Sequence, residues 1–344
     1  MAQAYTAETG NDAARTRQTG SGAGRVRALL ERLRGDRGIW RRGVILAVFA
    51  VIIALLMILH AQIPNRLGNL GSLTETFLPW FGVFVPLIAV AAVLRRSATA
   101  MIAVLLPLIV WLNLFGGLLT GKAAAADGEL TVATHNVNAD NPDPVGTAKE
   151  VAASGADILA LQELPGGQVA AYEQALAGTY RYHAVEGTVG LWSKYPLTDT
   201  SPVDIKMGWT RAMRATVETP DGSVAVHVAH LPSVRVKLEA GFTANQRDNS
   251  ADALGEAIAR ERTDRVVLLG DLNGTMNDRS LNAITSQMRS TQGAAGDGFG
   301  FSWPASFPMA RIDQILVRGV EPVSSWTLPR TDSDHLPIAA RVKL

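Results

Sequence analysis

Three apolar stretches in series, residues 43–60, 77–94 and 98–119, constrain this chain more than any other feature. None contains Asp, Glu, Lys or Arg, and the first reads GVILAVFAVIIALLMILH. About 20 apolar residues are needed to cross the hydrocarbon core of a bilayer as a helix. Three such stretches predict a multi-pass N-terminal region. A cleaved signal peptide does not account for the first, which begins far from the N-terminus and is followed by two more. Pro79, Pro86 and Pro107 fall inside the second and third, where neighbouring helices can re-satisfy the freed backbone groups. Asn113 is the strongly polar residue deep in the third; it can bond between helices or sit near an interface.

The arginines give the orientation. Seven of them, at positions 25, 27, 32, 34, 37, 41 and 42, cluster just before the first stretch, the 61–76 loop has only Arg66, and Arg95 and Arg96 separate the second stretch from the third. Positive residues are retained on the cytoplasmic side. The tail (1–42), disordered and Arg-rich, is therefore expected inside. The three transmembrane helices (43–119) lead through a linker (120–129) to a domain (130–344) on the extracytoplasmic face of the cell membrane.

Charge separates the two halves. Residues 1–126 hold 13 Lys/Arg against 5 Asp/Glu, a net of +8, and residues 127–344 hold 19 against 26, a net of −7. Phosphate-backbone neutralisation dominates nucleic-acid affinity, so an acidic domain without a dense basic cluster argues against bulk nucleic acid as partner. With no cysteine in the chain, disulfides and thiolate chemistry are excluded.

The second half alternates strand and helix patterns. Strands are expected at 129–137, 157–162, 191–193, 214–218, 224–230, 266–269, 311–317 and 337–343, and helices at 147–154, 169–176, 244–260 and 280–288. Residues 293–300 form a glycine-rich loop expected to be mobile. The run Val266-Val267-Leu268-Leu269-Gly270 ends at Asp271, with Asn273 two residues on. That spacing puts both polar side chains on one side of an extended chain. Other strand ends carry similar groups: Asn136, Glu163, His230, Asp313, and Asp334-His335. Singly each has an ordinary reading as a loop or turn residue; together they suggest a site assembled from six strands.

In order and spacing, Asn136, Gln162-Glu163, His230, Gly270-Asp271-Leu272-Asn273, Arg311-Ile312-Asp313 and Ser333-Asp334-His335 resemble the DNase I-like endonuclease/exonuclease/phosphatase superfamily. Leu191-Trp192-Ser193-Lys194-Tyr195-Pro196-Leu197 resembles a further segment of it. Ala229, Leu272 and Gln314 depart from the commoner residues without touching a catalytic group. The resemblance implies an α/β four-layer sandwich with two central sheets and a metal-dependent phosphoester hydrolase using Mg²⁺ or Mn²⁺. It implies Glu163 as the main metal ligand with Asn136 and Asp334 in support, Asp271 as the base for an attacking water and Asn273 as its orienter. His230 and His335 would donate to phosphoryl oxygens, and Asp313 would fix the His335 ring. Arg211 and Arg214 read more readily as surface residues than as substrate contacts.

The layout of basic tail, three spans and such a domain resembles membrane proteins of the VanJ type, associated with resistance to glycopeptides such as teicoplanin. That implies the lipid bilayer as partner and a lipid-linked or small phosphate, such as a cell-wall lipid intermediate, as substrate. A membrane-tethered endonuclease, a sphingomyelinase- or phospholipase-like hydrolase, and a non-catalytic shielding protein on the same fold are the alternatives.

Overall fold

The computed structural model describes residues 38–65, 69–122, 129–233 and 241–344. The tail before residue 38, most of the 120–129 linker and Arg66 lie outside the described residues.

In the first part, Val44–Ile58 is an apolar helix of 15 residues. Leu70–Thr76 and Leu78–Leu94 follow as a pair bent by 67°. The bend falls where Phe77 leaves helical geometry (φ −101°, ψ 15°) and Pro79, lacking an N–H, opens the next turn. Ala98–Leu118 is long and apolar enough to cross a bilayer by itself; the second expected span reaches that length only as the bent pair, and the first falls short of it. Of the 29 large apolar side chains exposed among the described residues, 26 lie between residues 39 and 119. A surface of that kind calls for a non-aqueous environment or a covering partner.

The second part has four layers. One sheet has strand order β11-β12-β1-β2-β4-β3 and the other β5-β6-β7-β8-β10-β9. In the first, β1 is Leu130–Asn136, β2 Ile158–Gln162, β3 Tyr182–Glu186, β4 Val189–Ser193, β11 Glu321–Thr327 and β12 Ile338–Lys343. In the second, β5 is Leu197–Pro202, β6 Ala212–Thr219, β7 Gly222–His230, β8 Val266–Asp271, β9 Arg289–Ser290 and β10 Asp313–Arg318.

Each central strand is buried on both faces, which is why β2 and β8 read as unbroken apolar runs rather than alternating ones. Inward-facing Val132, Ile158, Leu191, Val226, Leu269 and Ile338 form the core between the sheets. Outside the first sheet, Leu159, Leu161 and Trp192 pack against helices Pro144–Ala152 and Val169–Leu176. Outside the second, Val266, Leu268 and Leu316 pack against Gly241–Ala259. All eight expected strands are present, with ends shifted by a few residues. Residues 280–288 are not one helix: a 3-10 turn, Arg279–Leu281, capped by the Asp278 side chain, precedes a short helix, Asn282–Thr285. The glycine-rich stretch begins in a short helix and packs through its aromatic rings. Ser290 caps the helix Thr291–Ala295, and the Phe299 and Phe301 rings stack 5.1 Å apart.

The two parts are docked through side chains. Trp80 Nε1 donates to the Met309 carbonyl at 2.8 Å and its ring stacks on Phe301. Trp111 and Phe115 pack against Phe299. Arg247 Nη2 donates to Ser72 Oγ at 3.0 Å, and Thr275 Oγ1 donates to the Glu75 carbonyl.

Candidate active site

Strand register gathers the site. His230 is opposite Asp271 across the parallel β7–β8 pair, and Asp271 is opposite Asp313 across the antiparallel β8–β10 pair. Three polar groups therefore stand abreast at one end of the second sheet. In the first sheet, Asn136 is opposite Gln162, so Asn136 and Glu163 leave adjacent parallel strands together. The ends of both sheets meet there: Asn136 Nδ2 donates to Asp271 Oδ2 at 3.0 Å, and His230 Nε2 lies 3.4 Å from Glu163 Oε1.

The backbone is bent to this purpose. Gly270 has φ +154°, and a Cβ there would fall on the Ala229 carbonyl oxygen. Only glycine lets β8 approach β7 so closely just before Asp271. Glu163 and Asn273 have φ of 60° and 47°, a left-handed conformation non-glycine residues adopt rarely and mostly where function demands it.

Asp271 is the hub. Its Oδ1 accepts from the Asn273 N–H at 2.9 Å, and its Oδ2 accepts from Asn136 and, at 3.2 Å, from Asn273 Nδ2. The Asn273 carboxamide nitrogen also donates to the Leu231 carbonyl, and Asn273 lines the cavity. His335 Nε2 is 3.9 Å from Asp271 Oδ2, while His335 Nδ1 is 2.9 Å from Asp313 Oδ2, which also accepts from Ser302 Oγ at 2.6 Å.

Burial and the neighbouring Asp313 push the Asp271 carboxyl up to about 7. A carboxylate titrating there is poised to exchange a proton near neutrality. Burial opposes charge on His335, but Asp313 beside it, by charge and by hydrogen bond, wins and lifts it to about 10. Burial also opposes charge on Asp313, and His335 holds that carboxyl below its usual range. Burial, then Arg211 and His335, drive His230 well below the ordinary histidine value. One histidine is thus a cation and the other a neutral ring, each set by its surroundings.

All eight residues expected from the sequence therefore come to one place. Glu163, Asp271, Asn273, Asp334 and His335 line a single cavity of about 380 Å³. Asn136 and Asp313 stand behind it, and His230 with Glu163 opens on an adjoining cleft of about 250 Å³. Two features were not expected. Arg211 lines that adjoining cleft with Trp209, its guanidinium 5.1 Å from the Trp209 ring centre. Burial lowers its pKa, and Asp271 and Glu163 act against that. Arg211 belongs to the site, whereas Arg214 pairs with Glu261 through Nε at 2.9 Å and lies outside it. The second feature is that Ser72, Leu73 and Phe77, from the N-terminal part, form a wall of the main cavity. No sequence signal marked either.

The model of the endonuclease/exonuclease/phosphatase family matches residues 133–335, more than half of the chain. The chain belongs to this family. Among solved structures, this family member is similar to a mannosyl-6-phosphatase of Bacteroides thetaiotaomicron (19% identity, TM-score 0.52, covering 63% of this chain and 100% of the other). It is similar also to an endonuclease/exonuclease/phosphatase of Beutenbergia cavernae (19%, 0.50, 63% and 72%) and to a beta toxin of Staphylococcus aureus (15%, 0.51, 62% and 99%). At such identities these likenesses speak for the fold. No curated protein matches significantly. As a member of the family the chain is a metal-dependent hydrolase of phosphoester bonds.

The residues present fit a hard divalent cation. Such ions take oxygen donors, and Glu163, Asp271, Asn273 and Asp334 bring oxygens to one cavity. Asp271, Asp313 and His335 also each offer one ligand atom, all within 4.8 Å of one another. In that trio, Asp313 Oδ2 and His335 Nδ1 already bond each other. We read the trio as a hydrogen-bonded support and place the cation's donors on the Glu163 side. Asn136 is the weakest of the expected ligands, since its Oδ1 accepts from the Asn138 N–H and its Nδ2 serves Asp271.

Proposed function

We propose that this chain is a membrane-anchored phosphoesterase whose site faces the extracytoplasmic side and acts on a membrane-linked phosphate or pyrophosphate. The substrate class that fits best is a lipid-linked intermediate of the cell wall, with glycopeptide resistance as the outcome. One observation carries this reading: the cavity holding Glu163, Asp271 and His335 is walled by Leu73 and Phe77 of the apolar N-terminal part. The exposed apolar belt between residues 39 and 119 supports a bilayer as its surroundings, and the arginine distribution supports the orientation.

In this reading Glu163, with Asp334 and Asn136, holds Mg²⁺ or Mn²⁺, which neutralises phosphoryl charge when bound. Asp271 takes a proton from the attacking water, and the Asn273 carboxamide oxygen orients it. His335, held cationic by Asp313, donates to a phosphoryl oxygen as charge grows, and His230 does so as a neutral donor. Arg211 contacts a phosphate oxygen from the adjoining cleft.

The test uses the full chain in lipid nanodiscs with Mg²⁺ or Mn²⁺, assayed on undecaprenyl pyrophosphate, phospholipid and plasmid DNA, with Glu163→Ala as control. Turnover of the lipid-linked pyrophosphate, abolished in the control, is expected. Turnover of plasmid DNA alone would replace this reading with a tethered nuclease. Protease protection in inverted and right-side-out vesicles checks the orientation; access to residues 129–344 from the cytoplasmic side alone would overturn it.

A further inference from the structure

The active-site cavity has two chemically different sides. Glu163, Asp271 and His335 make one; Leu73, Phe77, Trp303 and Ile312 make the other. The apolar side is built jointly, with Leu73 and Phe77 from the bent N-terminal helix pair and Trp303 and Ile312 from the catalytic domain. Leu73 remains 37% exposed and the nearby Leu70 47% exposed. Apolar surface left beside a catalytic carboxylate costs stability unless something covers it.

We propose that this side is a chain-binding subsite. It takes the first carbons of an amphiphile in which the phosphate or pyrophosphate is bonded directly to an apolar chain. The assignment deepens the phosphoesterase reading and rests on it for the identity of the head group.

Four observations carry it. The apolar wall is continuous with the catalytic groups, so a head at Asp271 has its chain beside Leu73. None of the residues lining the cavity is Lys or Arg, which disfavours a polyanionic backbone along this wall. The volume, about 380 Å³, is at the small end for an organic ligand; it accommodates a head group and a few carbons, leaving the rest of a long chain beside the apolar helices. The wall is also fixed in advance, because Trp80 bonds Met309 and stacks on Phe301, and Arg247 holds Ser72. Preformed walls lower the ordering cost of binding.

The experiment uses the full chain in nanodiscs and non-hydrolysable alkylphosphonates, methyl and dodecyl, with binding measured by calorimetry and empty nanodiscs subtracted. The wild type is expected to bind the dodecyl compound at least about tenfold more tightly than the methyl one, which lacks the carbons the subsite takes. Leu73→Gln and Phe77→Ala should each reduce that ratio at least about threefold, reading the lost apolar contact. Equal affinity for the two chains, or a ratio unmoved by both substitutions, overturns the subsite. Hydrolysis of dodecyl phosphate is followed in parallel. Chain-dependent binding without turnover supports the subsite and counts against the phosphoesterase reading, and turnover indifferent to chain length does the reverse.

Discussion

Arg247 Nη1 donates to the carbonyl oxygen of Asn273 at 3.0 Å. The same guanidinium, fully buried, lies 2.7 Å from Asp278 Oδ2 and reaches Ser72 Oγ. One side chain thus joins the N-terminal part to the loop that carries Asn273. Removing one partner of a buried ion pair strands the other charge, at about 3–5 kcal/mol. Arg247→Ala is expected to lose that much stability, measured by denaturant unfolding, and to lower kcat as Asn273 loosens. Arg247→Lys keeps the charge but not the fork and should recover stability more than kcat. Equal recovery of both would show that Arg247 does not position Asn273.

Asp313 touches His335 and Ser302 from behind the cavity. Asp313→Asn keeps the shape and removes the charge that holds His335 cationic. A drop in kcat of at least about 100-fold, comparable to His335→Ala, is expected. Metal affinity, followed by calorimetry, should change far less, because the cation's oxygens lie on the Glu163 side. Loss of metal binding in Asp313→Asn would instead make Asp313 a ligand.

Glu261 gives a pH signature away from the site. His227, with Nε2 3.5 Å from its carboxylate, and Arg214, which hydrogen-bonds it, act against the cost of burial and hold its pKa far below the ordinary value. A carboxyl depressed in the folded state adds stability above its unfolded pKa of about 4.3, and that stability is lost as pH falls further. Glu261→Gln should therefore cost about 1.5–3 kcal/mol at neutral pH, with the gap to wild type narrowing below about pH 4. A pH-independent gap in chemical denaturation would rule this out.

Arg211 separates binding from chemistry. Its guanidinium lies over the Trp209 ring, in a cleft shared with Glu163 and His230. Arg211→Ala is expected to raise KM about tenfold with a smaller effect on kcat, the pattern of an interaction made in ground and transition states alike. Arg214→Ala, which breaks the Glu261 pair, should lower stability with little change in KM. If the two variants behave alike, Arg211 has no substrate contact.

The candidate site residues were readable because most stand at or near the end of a strand in a run whose pattern fixes its direction. Asp271 after Val266–Gly270 and His230 after an alternating hairpin strand needed only the register to bring them together. What escaped was contact across long stretches of chain. Leu70–Thr76 reads as a plain connecting loop, yet Ser72 meets Arg247, 175 positions away. Arg247 itself looks like one charge on the polar face of a helix, and nothing local says that the face is buried. Residues 293–300 read as a loop because glycine is permissive; the contacts of Phe299 with Trp111 and Phe115 could not be read from them. The bend at Phe77 falls at the start of the second apolar stretch, where Pro79 opens a new helix, and the arm before it, Leu70–Thr76, lies in what reads as a loop.

The docking contacts have a consequence for how the two parts could be separated. A nick between residues 122 and 129 would sever the backbone, but Arg247 would still grip Ser72 and Trp80 would still lie against Phe301. The two fragments would stay together as a non-covalent complex, with the active site intact. Shedding the catalytic half would need those grips undone as well, and the freed half would leave behind Leu73 and Phe77. Cleavage of the peptide chain alone is therefore a poor off-switch for this enzyme, and dissociation is an effective one.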